Sequence, residues 1–317
     1  MRKGRSPRIA LTGATGFIGD FLIGWLQKHG YYVRVLARDN ARTIPARNQV
    51  LIGNLESPKN LDKAMEDMDY VVHCAGLAHN ADILDEHPYQ VINNEGTQWL
   101  ARAAARNGIK RFVFMSSVRA LCGPTSRRIV SDRSPFRPTD AYGRSKRDAE
   151  NYLMEQYHLS EMDWVALRPV LTYGPNVKGN MAKLIRLAKS PFPLPLAGLE
   201  GVRSVLSLEN LGEAVLHVLE MKGPIKRSFL VADEDDLTVP EMIAALRHGM
   251  NRRPSLFSVS QNFLASVSRI AGMADSFERL SENLIVDTRD LRKTGWKPLH
   301  SAEEGLESLG EHLLASA

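Results

Sequence analysis

The glycine-rich turn near the start of the chain constrains the fold more than any other feature. An apolar run, Ile9-Ala10-Leu11, leads into Thr12-Gly13-Ala14-Thr15-Gly16-Phe17-Ile18-Gly19, and a helical pattern follows over Phe17–Lys28. Glycines here permit a tight turn and close backbone approach to a phosphate, whose charge the amides at the helix start can meet. The spacing is G-x-x-G-x-x-G rather than G-x-G-x-x-G. Because a strand precedes it and a helix follows, the turn predicts a dinucleotide diphosphate site.

The rest of the first half repeats this order of strand and helix. The pattern predicts strands at Arg8–Leu11, Tyr32–Leu36, Val50–Ile52, Tyr70–His73, Arg111–Met115 and Trp164–Leu167, and helices at Phe17–Lys28, Asn60–Met65, Tyr89–Arg106 and Ala141–Tyr157. Several strands are uniformly apolar, as expected when both faces of a sheet are covered. We therefore predict an α/β fold, a Rossmann-type doubly wound parallel sheet with helices on both faces.

The pattern changes after Pro169. Proline and glycine are dense from Gly174 to Gly201, which predicts a long irregular excursion. A helix at Leu208–Met221 and a strand at Ser228–Val231 could return to the sheet, and Val239–Ala317 is mostly helical by periodicity. We predict a dinucleotide-binding domain of residues 1–170 plus roughly 206–235. A smaller, mostly helical substrate-binding region would comprise residues 171–205 and 236–317.

Composition narrows the possible partners and location. The 41 basic and 36 acidic residues give a net charge of +5, a mild excess that suits an anionic cofactor and substrate. No nucleic-acid module is recognisable, so we expect no nucleic-acid partner. Cys74 and Cys122 form no zinc pattern, so we expect no metal and a reducing compartment. Without a membrane-length apolar stretch or a secretory signal, the sequence predicts a cytoplasmic protein with no membrane span.

The end of the second strand bears on which dinucleotide is bound. NAD enzymes usually place an acidic residue there to bind the ribose 2′-hydroxyl. This chain has Ala37-Arg38-Asp39, and a guanidinium suits a 2′-phosphate. The sequence therefore favours NADP(H) through Arg38. NAD(H) stays possible, because Asp39 could bind the ribose while Arg38 points to solvent.

A second constellation predicts proton transfer. Tyr142 and Lys146 lie four residues apart and therefore share one helix face. A free tyrosine has a pKa of about 10, and a neighbouring ammonium would lower it towards neutrality. A hydroxyl at the end of a nearby strand should orient the substrate oxygen. Ser116 and Ser117 both qualify, and we favour Ser117.

These residues resemble the extended short-chain dehydrogenase/reductase family, within it the nucleotide-sugar 4-epimerases and 4-keto-reductases of the NAD-dependent epimerase/dehydratase group. The resemblance covers most of the chain. It is carried by Thr12–Gly19, Gly53-Asn54-Leu55, Val71–Gly76, Asn93–Thr97, Arg111–Ser117, Tyr142–Lys146, Leu167-Arg168-Pro169, Tyr173–Asn176, Asn180, Pro193–Leu196, Arg203-Ser204 and Leu291–Pro298. One departure is the loop from Ser117 to Gly123, which is a residue longer than usual and leaves the choice between Ser116 and Ser117 open.

The resemblance implies a role for each motif. The catalytic set would be Ser117, Tyr142 and Lys146, and the substrate would also meet Asn180 and Arg203 at its diphosphate. Cofactor contacts would come from Gly13, Gly16, Phe17, Ile18, Gly19, Asn54, Leu55, Cys74, Ala75, Gly76, Asn93, Tyr142, Lys146 and Pro169. The two helices Tyr89–Arg106 and Ala141–Tyr157 would pair two copies into a homodimer.

The resemblance also implies an enzyme of surface polysaccharide synthesis that acts on a UDP-sugar. We favour reduction of the C4 keto group of a UDP-(N-acetyl)-4-keto-6-deoxyhexose, because Arg38 suits an exchanging NADP(H). The alternative is a UDP-glucose or UDP-N-acetylglucosamine 4-epimerase, which would keep its NAD. A steroid or flavonoid reductase, or a dinucleotide sensor without catalysis, also stays open; the Tyr142–Lys146 pair argues against the sensor.

Overall fold

A computed structural model of the chain describes residues 5–39, 48–78, 85–155, 161–260, 269 and 281–316. The chain divides into two compact units. The first contains Met1–Gly123, Pro135–Arg168 and Gly212–Phe229, and the second contains Pro124–Ser134, Pro169–Leu211 and Leu230–Ala317. Among the described helices, none is both long enough and apolar enough to cross a membrane.

The described elements alternate as the sequence predicts. The strands are β1 Arg8–Thr12, β2 Tyr32–Ala37, β3 Gln49–Leu51, β4 Tyr70–His73, β5 Arg111–Met115, β6 Val130–Ser131, β7 Asp163–Pro169, β8 Leu171–Tyr173, β9 Val202–Ser207, β10 Lys226–Val231, β11 Asp236–Thr238 and β12 Val286–Asp287. The helices are α1 Phe17–Lys28, α2 Leu61–Met65, α3 His87–Tyr89, α4 Gly96–Arg106, α5 Ala141–Glu155, α6 Gly179–Lys189, α7 Leu208–Glu220, α8 Val239–Gly249, α9 Arg289–Arg292 and α10 Ala302–Ala315.

A seven-stranded sheet organises the first unit. Its strand order is β10-β7-β5-β4-β1-β2-β3, and the pairs from β7 to β3 are parallel. Its side chains pack between the sheet and the helices in a core that includes Leu100, Phe112, Phe114 and Leu153. The predicted Rossmann-type α/β fold is confirmed. Because the strand order reverses between β1 and β4, their carboxyl ends border a crevice where such sheets bind ligands.

The second unit has a small sheet and its own core. Strand β9 pairs antiparallel with β11 and parallel with β8, and β12 pairs with β6. Helices α8 and α10 cross closely, since a Cβ on Gly310 would lie 3.0 Å from the Cα of Gly249. Glycine at both positions therefore permits the close approach of the two helix backbones.

Two sequence predictions need correction. Helix α6 lies inside the stretch Gly174–Gly201, which was predicted to be irregular. Its buried residues Met181, Leu184, Ile185 and Ala188 have helical spacing, but flanking prolines and glycines masked the signal. The predicted helix Tyr89–Arg106 is interrupted, because Gln90–Glu95 forms a π-helical turn between α3 and α4. Residues 156–157 of the predicted helix Ala141–Tyr157 lie outside the described residues.

Candidate active site

The glycine turn between β1 and α1 leaves a concave backbone surface at Gly13, Gly16 and Gly19, here called the cradle, which side chains at these positions would fill. Gly13 has a φ of +76°, and a Cβ there would lie 2.5 Å from the Ala75 amide nitrogen. A Cβ on Gly19 would overlap the Gly13 carbonyl oxygen. Gly16 caps α1, and no described side chain bonds to this helix start. Because the first amides of a helix attract anions, the cradle fits a dinucleotide diphosphate.

Ser117 and Tyr142 lie together at the carboxyl edge of the sheet. Ser117 follows β5, and its hydroxyl is hydrogen-bonded to the phenolic oxygen of Tyr142 on α5. The same serine oxygen accepts a bond from the Arg119 amide at 3.1 Å, which fixes its orientation. The Tyr89 ring meets the Tyr142 ring edge-on, with 6.3 Å between centroids. These contacts hold two hydroxyls side by side where a substrate oxygen could bind both.

The protonation of Tyr142 differs from the sequence prediction. Burial raises its pKa above the ordinary value of 10.0; the Ser117 hydrogen bond and the Arg119 guanidinium act against burial, while Asp140 adds to it. The prediction that the Lys146 ammonium brings a net lowering of this pKa is wrong in this geometry. At neutral pH the phenol therefore keeps its proton and is ready to act as an acid.

Lys146 lies one turn further along α5 and is buried. Its ammonium donates to the Met115 carbonyl oxygen at 2.9 Å. Burial lowers its pKa from 10.5 to about 8, although the neighbouring Cys74 and Glu150 act to raise it. A Cβ on Gly76 would lie 3.3 Å from the Lys146 nitrogen. The predicted cofactor residues Cys74-Ala75-Gly76 therefore pass close to this ammonium. The predicted contact of Lys146 with a nicotinamide ribose stays a prediction.

Ser116 has a different environment from Ser117. It is buried, and its hydroxyl donates to the Glu150 carboxylate at 2.5 Å. Glu150 also binds the guanidinium of Arg168 through both carboxylate oxygens. A buried carboxylate paired in this way ties β5, α5 and β7 together. The Ser116 hydroxyl is therefore engaged in the core, whereas the Ser117 hydroxyl faces Tyr142.

Asn93 joins the cofactor loop to the catalytic helix. It is fully buried in the π-helical turn. Its amide oxygen accepts from the Leu77 amide at 2.7 Å, and its amide nitrogen donates to the Leu77 carbonyl oxygen and the Ser145 hydroxyl. Asn93 thus links Leu77, which follows the predicted cofactor residues, to Ser145 on α5. Its predicted packing near the cofactor stays a prediction. Local π-helical turns of this kind are frequent at functional sites.

His73 completes an ordered hydrogen-bond chain beneath the loop. The Ala75 amide donates to the Thr12 hydroxyl oxygen, and that hydroxyl lies 2.7 Å from His73 Nδ1. His73 Nε2 lies 3.0 Å from the Thr97 hydroxyl, which donates to the Asn93 carbonyl oxygen. Thr97 must therefore accept from Nε2–H, and Nδ1 must accept from Thr12. Burial lowers the pKa of His73 to about 3, which keeps the ring neutral.

The remaining predicted cofactor residues lie at strand ends. Asn54 and Leu55 follow β3; Asn54 is exposed, and Leu55 is half-buried against α4. Arg38 and Asp39 follow β2 and form an ion pair with each other at 2.8 Å, with both side chains about three-quarters exposed to solvent (73% and 78%). Phe17 and Ile18 begin α1, and Pro169 ends β7.

The two predicted substrate residues belong to the second unit. Asn180 is exposed in the first turn of α6. Arg203 on β9 donates to the carbonyl oxygens of Pro124 and Glu282, so its guanidinium holds together two segments of its own unit. Their predicted contact with a nucleotide diphosphate stays a prediction.

Sequence reasoning missed several polar residues around the set. Asp140 accepts from the Gly143 amide at 2.7 Å and binds the Arg119 guanidinium, so it fixes both the start of α5 and the loop after Ser117. Glu150 was missed although it lies eight residues after Tyr142, on the same helix face as Lys146. That spacing is the signal that could have found it.

Comparison with known proteins identifies the family of the chain. The sequence profile of the NAD dependent epimerase/dehydratase family matches residues 9–232. A UDP-glucose 4-epimerase of Vibrio cholerae is 31% identical over 317 residues, which cover 96% of this chain and 95% of that protein. An N-acetyl-alpha-D-glucosaminyl-diphospho-ditrans,octacis-undecaprenol 4-epimerase of Escherichia coli O157:H7 is 27% identical over 79% of this chain and 75% of its own length.

A solved structure shares the fold. MoeE5 in complex with UDP-glucose and NAD superposes with a TM-score of 0.77 at 22% identity, over 98% of this chain and 99% of that one. The profile match extends from β1 through β10, and the similarity to the Vibrio cholerae protein covers nearly the whole of both chains. This protein belongs to the NAD dependent epimerase/dehydratase family of extended short-chain dehydrogenases/reductases.

Proposed function

We propose that this protein is a nucleotide-sugar 4-epimerase that keeps a bound NAD and acts on a UDP-hexose. The observation that carries the proposal is the 31% identity to a UDP-glucose 4-epimerase over nearly the full length of both chains. The sequence alone favoured a 4-keto-reductase because of Arg38. The ion pair between Arg38 and Asp39 weakens that argument, since the guanidinium already has an anionic partner.

The chain's own groups supply binding and proton transfer. The cradle at Gly13, Gly16 and Gly19 would hold the diphosphate, and Lys146 the nicotinamide ribose. When bound, the dinucleotide supplies the acceptor and donor of a hydride at C4. Ser117 would hold the C4 oxygen, and Tyr142 would move its proton.

Proton movement balances over one turnover. The Tyr142 phenolate would take the proton of the C4 hydroxyl as the carbon is oxidised, and the phenol formed in this way would return that proton when the opposite face is reduced. Epimerisation therefore needs no net acid or base. The raised pKa of Tyr142 suits the second half of this sequence, in which the phenol must donate. The first half needs the phenolate, which the Ser117 hydrogen bond and the Arg119 guanidinium favour against the effect of burial.

A UDP-sugar in surface polysaccharide synthesis is the proposed substrate, and the cytoplasm the proposed location. The Escherichia coli relative named above acts on a lipid-linked sugar, so a lipid-diphosphate sugar is a second substrate to test. We also propose a homodimer formed through α4 and α5.

Reduction of a UDP-4-keto-6-deoxyhexose by NADPH is the second candidate. Arg38 favours it, because this guanidinium stands at the tip of β2, where a 2′-phosphate would lie. The change Arg38→Gln should weaken NADPH binding if this candidate holds and leave NAD binding unaltered if the epimerase holds. Asp39→Asn is the matched control, because it removes the partner of Arg38 and should have its main effect on NAD.

The first experiment is to denature the purified protein and identify any released nucleotide. Stoichiometric NAD, together with interconversion of UDP-glucose and UDP-galactose without added cofactor, is the expected result. The Tyr142→Phe variant should release the same NAD and lose turnover, which separates catalysis from binding. A protein that carries no nucleotide, consumes NADPH with a 4-keto sugar and leaves UDP-glucose unchanged would replace the epimerase with the reductase.

A further inference from the structure

Two stretches of the second unit carry basic charge without acidic residues. Residues 178–199 contain Lys178, Lys183, Arg186 and Lys189 and no aspartate or glutamate, in a chain with 36 acidic residues. Residues 247–260 contain Arg247, Arg252 and Arg253 and likewise none. This separation of charge is a local property of the two stretches, since the whole chain has a net charge of only +5.

A buried arginine joins the two stretches. Arg247, 2% exposed, donates to the carbonyl oxygens of Ala188, Ser190 and Phe192 in the first stretch and of Pro254 and Ser255 in the second. Every one of these acceptors is a neutral carbonyl oxygen. The positive charge of the Arg247 guanidinium therefore adds to that of the other basic side chains of the two stretches. The backbones also pair directly, with Leu194 N–H donating to Ser255 and Phe257 N–H to Leu194. The two stretches therefore form one continuous surface.

Large apolar side chains stand out from this surface. Phe192 is 72% exposed, and Phe257 and Leu187 are also exposed. Lys183, Arg186 and Leu187 share the face of α6 opposite its buried residues. None of Lys183, Arg186, Lys189 and Arg253 pairs with an acidic residue in the described part of the chain. We define the basic phenylalanine face as Lys183, Arg186, Lys189, Phe192, Arg253 and Phe257.

We propose that the basic phenylalanine face docks this protein on an anionic lipid bilayer. Exposed phenylalanine inserts at the boundary of headgroups and acyl chains, while lysine and arginine bind anionic headgroups. A nucleic acid would bind the basic side chains, but its binding would not explain the exposed apolar side chains of Leu187, Phe192 and Phe257. This inference does not rest on the epimerase proposal, because binding to a bilayer needs neither a bound NAD nor turnover at Ser117, Tyr142 and Lys146.

Vesicle sedimentation tests the docking surface. The full-length protein is mixed with vesicles of phosphatidylcholine alone, or of phosphatidylcholine and phosphatidylglycerol in equal parts. We expect binding to the anionic vesicles that weakens with salt. Changing Lys183, Arg186 and Lys189 together to glutamine should reduce the affinity about a hundredfold. Changing Phe192 and Phe257 to serine should reduce it about tenfold.

Matched controls keep the net charge and apolar content of each variant. Lys59, Lys63 and Lys222 are exposed in the first unit and are changed together to glutamine; Ile129 and Leu314, exposed in the second, are changed to serine. Both controls should bind like the unchanged protein. Thermal unfolding and nucleotide content should be equal in all variants.

Three results would overturn the proposal. The first is equal affinity for neutral and anionic vesicles. The second is a loss of vesicle affinity in the control variants as large as in the variants of the basic phenylalanine face. The third is binding to homopolymeric RNA without binding to anionic vesicles.

Discussion

At the scale of single residues, two adjacent serines have opposite roles. The Ser117 hydroxyl is hydrogen-bonded to Tyr142, and Ser116 donates to the buried Glu150. Their positions differ by one residue at the end of β5, so successive side chains point to opposite sides of the strand. The sequence favoured Ser117 but left the choice open, because it depends on whether the folded chain places a carboxylate or a phenol opposite each hydroxyl.

The serine pair gives a matched prediction. Ser117→Ala should lower turnover about a hundredfold with little change in stability, because it removes the hydroxyl beside the reacting oxygen. Ser116→Ala should leave turnover largely intact and destabilise the fold by about 2 kcal/mol, because it removes a partner of a buried carboxylate. Steady-state kinetics and urea unfolding of both variants check this. The reverse pattern would assign the orienting role to Ser116.

His73 predicts a specific dependence of stability on pH. Its folded pKa, about 3, lies below the ordinary 6.5, so between these values the unfolded chain binds more protons than the folded chain. The contribution of His73 to stability is therefore complete above pH 6.5 and is lost as the pH falls towards 3. The slope is about 1.4 kcal/mol per pH unit.

His73→Gln should remove that slope. Urea unfolding of the variant and the unchanged protein, measured across this acidic range, should give curves whose difference shrinks as the pH falls. His312→Gln, at an exposed position near the end of α10, is the control and should keep the full slope. Parallel curves for His73→Gln and the unchanged protein would mean that His73 is protonated in the folded state.

At the scale of elements, helix α1 carries both a required glycine and a dispensable one. A Cβ on Gly19 would overlap the Gly13 carbonyl, whereas Gly24 is exposed with no atom within 4 Å of the position of its Cβ. Gly19→Ala should therefore open the turn and weaken NAD retention at least about tenfold. Gly24→Ala should stabilise the protein by about 0.5–1 kcal/mol and leave NAD retention unchanged. Released nucleotide and thermal unfolding measure both; equal NAD retention would show that the turn tolerates a side chain.

The sequence predicted elements well where local pattern and tertiary packing agree. The apolar runs of β4 and β5 and the amphipathic pattern of α1 match the structure closely. The strands β6, β8, β11 and β12 were not predicted, because two- and three-residue pairings depend on distant partners; the longer β9 was not predicted either. The π-helical turn was not predicted either, because it arises where Asn93 must reach both Leu77 and Ser145.

For the site, the sequence predicted which residues meet but not their charges. Ser117, Tyr142, Lys146, Asn93 and Gly76 do lie together in the first unit. The direction of the Tyr142 pKa shift was wrong, since burial is a property of the assembled fold. The pairing of Arg38 with Asp39 is likewise a matter of side-chain placement that the order of residues does not determine.

At the scale of the whole molecule, helices α4 and α5 present an apolar surface to solvent. Trp99 on α4 is 45% exposed and Met154 on α5 is 51% exposed. Arg102 lies over the Trp99 and Tyr152 rings and donates to the Tyr152 hydroxyl, so it links the two helices at this surface. Exposed aromatic and methionine side chains are typical of the centre of a protein interface. The predicted homodimer would bury them.

Trp99→Glu should therefore dissociate the predicted homodimer. A carboxylate at the centre of a symmetric interface faces its own copy, so both desolvation and like-charge repulsion oppose pairing. Sedimentation equilibrium should show a dimer for the unchanged protein and at least about a hundredfold weaker association for the variant. Leu299→Glu, at an exposed leucine of the second unit, is the matched control and should remain dimeric. If Trp99→Glu sediments as the unchanged protein does, α4 does not form the interface.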